Sequence, residues 1–139
     1  MQSTVQGHVV MSLVVSAELS FRLVADLGYD PGDPYAVRLT FHLPGDAPVT
    51  WVFGRELLLD GISVPSGEGD VHIHPVADGE VCIQLRSPDG DALLRCAAAP
   101  LVAFLARADR LVPMGEELAG RSLDAELADI LSRGCENAG

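Results

Sequence analysis

The chain has 139 residues, 48% hydrophobic and 21% charged, a composition that excludes disorder and fits one folding unit over residues 1–139. Twenty carboxylates against nine basic residues leave a net charge of −11, and every basic residue is Arg. That surplus repels phosphate backbones and anionic membrane surfaces, and the Arg residues are scattered singly from Arg22 to Arg133 instead of forming a stripe.

The start, Met1-Gln2-Ser3-Thr4, is polar, and no secretion signal is read there. The longest uncharged apolar run, residues 96–106, contains Pro100 and is too short for a bilayer, which needs about 20 residues. Cys82, Cys96 and Cys135 show no paired spacing, so reduced thiols in a cytoplasm are expected.

The first two-thirds reads as β. Residues 4–15 place Val5, Val9, Met11, Leu13 and Val15 on one parity and Val10 and Val14 on the other, so a strand covered on both sides is expected. Every odd position from Ala17 to Leu27 is apolar, the period of a strand with one buried face. Pro31-Gly32 suits the centre of a type II turn, and Pro34 blocks a helix. Tyr35, Val37, Leu39, Phe41 and Leu43 alternate again; Pro44-Gly45-Asp46 turns the chain, and Val49, Trp51 and Phe53 form the next buried face. Residues 55–60 fit either a short strand or one helical turn, and residues 61–69 read as a Gly-, Pro- and Ser-rich loop.

Two hairpins follow. A three-residue loop at Ala77-Asp78-Gly79, with Gly79 left-handed after a type I turn, sets Ile73 opposite Ile83, Val71 opposite Leu85 and Asp70 opposite Arg86. A two-residue loop puts His72 and His74 among Val81, Ile83 and Leu85, so the longer loop is preferred. Asp89-Gly90 is a type I′ signal that sets Leu85 opposite Leu94 and Gln84 opposite Arg95, with Cys96 facing inward and Cys82 on the other face.

The last third reads as helical. Pro100 fits a first turn, and Leu101, Phe104, Leu105, Ala108, Leu111 and Val112 form one stripe that Pro113 ends. A second helix is predicted over residues 122–133, with Ser122 as N-cap, Gly134 as stop, and a stripe of Leu123, Leu127, Ile130 and Leu131. Strands followed by helices, without βα alternation, define an α+β class with an antiparallel sheet or barrel.

Candidate chemistry is sparse. His72 and His74 share a strand face with Asp70, and Cys82 lies across the hairpin; these are transition-metal ligand types. Only the i, i+2 spacing supports a site, so the set reads as a solvated face. The loop Ser66-Gly67-Glu68-Gly69-Asp70 carries two carboxylates and leads into a strand, which excludes a phosphate loop. No G-x-S-x-G is present, and Cys96 is expected to be inert. Trp51 and Phe53 form a stacking platform only beside a positive groove, which this charge denies; core packing is their expected role.

The order of motifs carries further information. Tyr29-Asp-Pro-x-Asp-Pro-Tyr-Ala-Val37 precedes Trp51-Val-Phe-x-Arg-x-Leu-Leu58 and Pro65-x-Gly-x-Gly-Asp-Val71. Then come Val81-Cys-Ile83, Leu101-x-x-Phe-Leu105, Val112-Pro113 and Leu123-Asp-x-Glu-Leu127. The string resembles the SsgA-like sporulation and cell-division family over nearly the whole chain, and Val-Cys-Ile and Leu-Asp-x-Glu-Leu resemble its SsgB branch. The resemblance implies a Whirly-like, barrel-like body of two antiparallel β layers with two C-terminal helices, assembled as a homotrimer. It also implies a non-enzymatic, cytoplasmic regulator at the division septum that binds FtsZ and positions it together with an SsgA-type partner. No catalytic residue, metal or cofactor is implied. The motif positions Tyr29, Asp30, Asp33, Tyr35, Arg55 and Glu56 are the candidate partner-binding residues, since loop motifs serve contact as well as structure. The rival readings are a Whirly-like single-strand binder, by fold analogy alone, and a small metal enzyme at His72, His74 and Cys82.

Overall fold

The computed structural model describes residues 4–67, 69–88 and 90–116. In chain order the elements are β1 (Val5–Val14), β2 (Ser20–Tyr29), β3 (Ala36–Phe41), β4 (Val49–Gly54), α1 (Arg55–Ser63), β5 (Val71–Val76), β6 (Glu80–Ser87), β7 (Gly90–Ala97) and α2 (Ala98–Leu111). The strands form one seven-stranded sheet in the order β4-β3-β2-β1-β7-β6-β5, with every neighbouring pair antiparallel. It curls into a half-barrel around the helices.

The resemblance led us to expect two β layers and two C-terminal helices. The strands share one sheet, which corrects the two layers; α2 follows the last strand as the first C-terminal helix, and a further helix, α1, joins the two edge strands β4 and β5. The predicted helix over residues 122–133 lies outside the described residues. Residues 55–60, left open between strand and turn, belong to the nine-residue α1.

Period-two patterning explains which face is buried. Val5, Val9 and Met11 of β1 and Leu23, Ala25, Leu27 and Tyr29 of β2 share the inner face with Val37, Leu39, Phe53, Ile73, Ile83 and Leu94. Leu101, Phe104, Leu105 and Ala108 of α2 and Leu58 of α1 complete that core, as their 3.6-residue spacing directs. Two close approaches seat the helices. A Cβ at Gly7 of β1 would stand 3.3 Å from Phe104 of α2, and one at Gly61 of α1 would collide with Ile73 of β5. Trp51 is half-buried against the core, opposite Leu39.

On β1 and β2 the even-numbered face is open. Val10 and Val24 pair across β1 and β2 yet are 57% and 52% exposed, which corrects the reading of β1 as covered on both sides. The helix residues of the core pack with the inward residues of β1 and β2, so these outward valines keep their water.

Turn chemistry decides the remaining registers. Asp33 N–H donates to the Asp30 carbonyl at 2.9 Å, while Gly32 N–H donates to Asp30 Oδ1 at 2.8 Å. Gly32 stays out of the left-handed region, so this turn is not the expected type II; an Asp at the first position favours type I geometry. The type II arrangement occurs instead at Leu43–Asp46, where Gly45 has φ 82° and Asp46 N–H reaches Leu43 O at 3.1 Å.

In the β5–β6 hairpin Val71 pairs with Leu85, Ile73 with Ile83 and Val76 with Glu80, the predicted register around three loop residues. Asp78 (φ 65°) precedes Gly79 (φ 73°), so two successive residues are left-handed where one was expected. Arg86 N–H donates to Asp70 O at 2.8 Å, which extends the pairing through the backbone.

The β6–β7 register differs from its prediction. Ser87 pairs with Gly90, Leu85 with Ala92, Ile83 with Leu94 and Gln84 with Leu93. The turn therefore sits one residue earlier than Asp89-Gly90, with Gly90 in the ladder at φ 137°. Pairing slips by two positions, an even number, so the predicted faces survive: Cys96 lies inward beside Val81, and Cys82 faces Arg95.

Candidate functional site

The six motif residues converge where β2 ends, the following loop turns and α1 begins. Tyr29, the last residue of β2, points inward and is 2% exposed. Its hydroxyl donates to the Pro34 carbonyl at 2.9 Å, clamping the loop that starts at Asp30. The ring also takes the Arg55 guanidinium at 5.0 Å, a cation–π contact.

Arg55 opens α1 and is 1% exposed. Gly54, the N-cap, supplies no side-chain cap, and the Arg55 backbone N–H instead donates to Tyr35 O at 2.7 Å. The side chain reaches the far end of α2, where Nη1 donates to Val112 O at 2.6 Å and Ala108 O at 3.4 Å. A helix C-terminus is rich in unpaired carbonyls and carries partial negative charge, so it suits a buried cation. One residue thus links β2, the 30–35 loop, α1 and α2.

The other four residues face outward to different degrees. Asp30 is half-buried and its carboxylate holds the turn; Asp33 is exposed. Tyr35 is 52% exposed although its backbone carbonyl anchors α1, and Glu56 is exposed beside it. Tyr35, Gly54, Arg55, Glu56 and Met114 line one surface hollow, whereas Asp30 and Asp33 line a neighbouring polar cleft with Asp26 and Arg38.

His72 and His74 sit half-buried on the outer side of β5, with His74 opposite Cys82 and His72 opposite Gln84. Among the described residues no three His, Cys, Asp or Glu side chains are grouped to hold a metal. Burial raises the pKa of the Cys82 thiol, and burial with Glu80 and Cys82 nearby pushes that of Cys96 up to about 12. Both are neutral thiols at physiological pH, not nucleophiles. Among the described residues no helix is long and apolar enough to cross a membrane.

A second node escaped the sequence reading. Asp26 on the outer face of β2 accepts from His8 Nδ1 at 2.6 Å and His42 Nε2 at 3.0 Å, so three neighbouring strand segments share one carboxylate. The His42 and His8 hydrogen bonds lower the Asp26 pKa. The signal lay in the β1–β2 register, which sets His8 opposite Asp26 once the reversal at residues 15–19 is known.

The arrangement holds a loop and a helix start in one fixed surface, with no convergent acid, base or nucleophile. Residues 23–117, which include all six motif positions, match the family model described as the Streptomyces sporulation and cell division protein SsgA. The chain belongs to the SsgA family. It is 46% identical over 135 residues to the sporulation-specific cell division protein SsgB of Streptomyces coelicolor, covering 95% of this chain and 98% of that one. Identity to the Thermobifida fusca SsgB is 44%, over 94% and 96% of the two chains. The crystal structure of an SsgA-like sporulation-specific cell division protein from Thermobifida fusca superposes with a TM-score of 0.82 at 44% identity, over 92% and 96% of the chains. A structure from work on SsgB mutations that correlate with longitudinal cell division in Streptomyces coelicolor also gives a TM-score of 0.82, at 45% identity over 86% and 97%. These SsgA-family relatives are named as cell division proteins, not as enzymes.

Proposed function

We propose that this SsgA-family chain is a sporulation-specific cell division protein of the SsgB type, and that it works by recruiting and positioning FtsZ together with an SsgA-type partner. Near-complete alignment with the Streptomyces coelicolor SsgB at 46% identity carries this reading. The protein acts as a non-enzymatic homotrimer in the cytoplasm at the division septum, and its curled sheet is of the Whirly type. The acidic surface and the sparse chemistry fit a protein that acts by touching other proteins. Single-strand binding gains no support, because the net charge of −11 opposes it and the relatives are named for division.

Within the motif set, exposed Asp33, Tyr35 and Glu56 face the partner, while Tyr29 and Arg55 hold the loop and helix that present them. Co-sedimentation with FtsZ polymers tests this. The unaltered chain is expected to pellet with the polymers, and the double change Tyr35→Ala, Glu56→Arg to lower the bound fraction at least about tenfold, the effect of losing one well-packed contact. Absence of the unaltered chain from the pellet sinks the FtsZ reading; undiminished binding by the double variant moves the contact elsewhere. Light scattering is expected to give three times the chain mass.

A further inference from the structure

We propose that the outer edge of β4 docks an extended segment of a partner protein, which adds to the seven-stranded sheet as a further strand. The segment that fits has apolar or Thr residues in its middle and Lys or Arg at both ends. The sheet has two edges, and the chain closes only one. Along β5, Ser66 and Ile73 exchange backbone hydrogen bonds at 2.8 and 2.9 Å, which places Val71, Ile73 and Pro75 on the parity that points away from β6. A Cβ at Gly67 would collide with the Val71 carbonyl, so the segment before β5 lies directly on that edge. Pro75 brings no N–H at all. Covering segments and edge prolines are common ways of blunting a sheet edge.

β4 has neither. The bond from Arg55 N–H to Tyr35 O puts that pair in the hydrogen-bonded class of the β3–β4 ladder. The two classes alternate along an antiparallel pair, so Phe53, Trp51 and Val49 bond to β3. The N–H and C=O groups of Thr50 and Val52 then point away from the sheet. Among the described residues no backbone hydrogen bond outside the sheet reaches those groups. Residues 49–54 hold no charge and no Pro, and Val, Thr, Trp and Phe favour strands. Val52 is 53% exposed on the outer face, and Trp51 is half-buried on the inner one, so an added strand finds apolar cover on both sides.

Charge selects the occupant. Asp46 and Glu56 are exposed and flank β4, one before the strand and one after it. A second copy paired antiparallel about a two-fold axis sets carboxylate against carboxylate at both ends, on two bodies that each carry a net charge of −11. β4 of one copy cannot take β5 of another, because that edge is closed. A segment with basic ends meets opposite charge at each end, and strand addition to an exposed edge is an established mode of peptide capture. The inference does not depend on FtsZ being the partner.

Hydrogen exchange of the full chain, read amide by amide, tests the open edge. Thr50 and Val52 are expected to exchange at least about 100-fold faster than Trp51 and Phe53. Slow exchange at both positions in the chain alone, or protection that grows with its concentration, overturns the proposal. The first outcome means that the chain covers its own edge, the second that another copy does. The probe of occupancy is a capped synthetic peptide, Lys-Val-Thr-Val-Thr-Val-Lys, titrated at low salt. It is expected to slow the Thr50 and Val52 amides at least about tenfold and to shift the emission of Trp51, the chain's one tryptophan. Replacing both Lys by Glu is expected to weaken binding at least about tenfold. Val52→Pro removes an N–H that β3 does not use, so Tm is expected to stay within about 4 °C while binding weakens at least about tenfold. No slowing by the Lys peptide, equal affinity for the Glu peptide, or undiminished binding by the folded proline variant each overturns the proposal. The exchange and peptide measurements use the unaltered chain, so they decide the question even if that variant does not fold.

Discussion

The Arg55 and Asp26 nodes use one device on opposite faces of the sheet: a single charge shared by groups from several segments. Arg55 is 1% exposed and its partners are backbone carbonyls and an aromatic ring. The Asp26 side chain is 38% exposed, and the His8 and His42 side chains are 76% and 52% exposed. Burial makes the difference. At Arg55 the alternative to each bond is an unsatisfied polar group away from water, whereas at Asp26 water replaces a lost partner. The buried node therefore fixes architecture, while the wet node adjusts stability slightly and responds to acid.

Arg55→Met is expected to have the largest effect, a loss of about 3 kcal/mol, because the Val112 carbonyl loses its guanidinium donor inside the fold and the Ala108 carbonyl keeps only the Val112 N–H. The urea midpoint should fall with the slope unchanged, and a loss under about 1 kcal/mol breaks the comparison. Tyr29→Phe keeps the ring under the guanidinium and removes only the hydroxyl bond to Pro34. About 1 kcal/mol should be lost in the same measurement, which separates the loop clamp from the cation–π contact. Asp26→Asn is expected to cost the least, under about 0.5 kcal/mol at neutral pH, since solvent screens the pair. Its sign with pH is specific. The Asp26 pKa is lowered from 3.8, so the contribution is present above that value and lost as pH falls through the lowered one. Melting curves of the two proteins should therefore merge in acid; a gap that widens below pH 3.8 contradicts the assignment.

Much of the fold was legible because strand parity is local. Alternation alone marked Leu23, Ala25, Leu27, Val37, Leu39 and Phe53 as inward, and the α2 stripe followed from its spacing. Parity also protected the β6–β7 prediction, since a slip of two leaves every face unchanged. It failed at Val10 on the outer parity and at Leu19 and Phe21 on the inner one, 49% and 54% exposed, because alternation does not say whether anything covers a face. The candidate site was legible as a set of positions but not as a division of labour. Nothing in the motif distinguishes buried Tyr29 and Arg55 from exposed Tyr35 and Glu56.

The amino-acid order by itself determined which residues share a face, where Pro and Gly interrupt the elements, and the family, since all three are read from short spacings or from the string itself. Only the tertiary structure decided that one sheet has its edges joined by α1, and that Arg55 meets carbonyls 53 and 57 residues away. It also brought His8 and His42 onto Asp26 from 18 and 16 residues away. The reason is physical. Local conformation obeys torsional and periodic preferences that each short segment carries alone. Long-range partners are chosen by the joint burial of many segments, which no window of sequence contains.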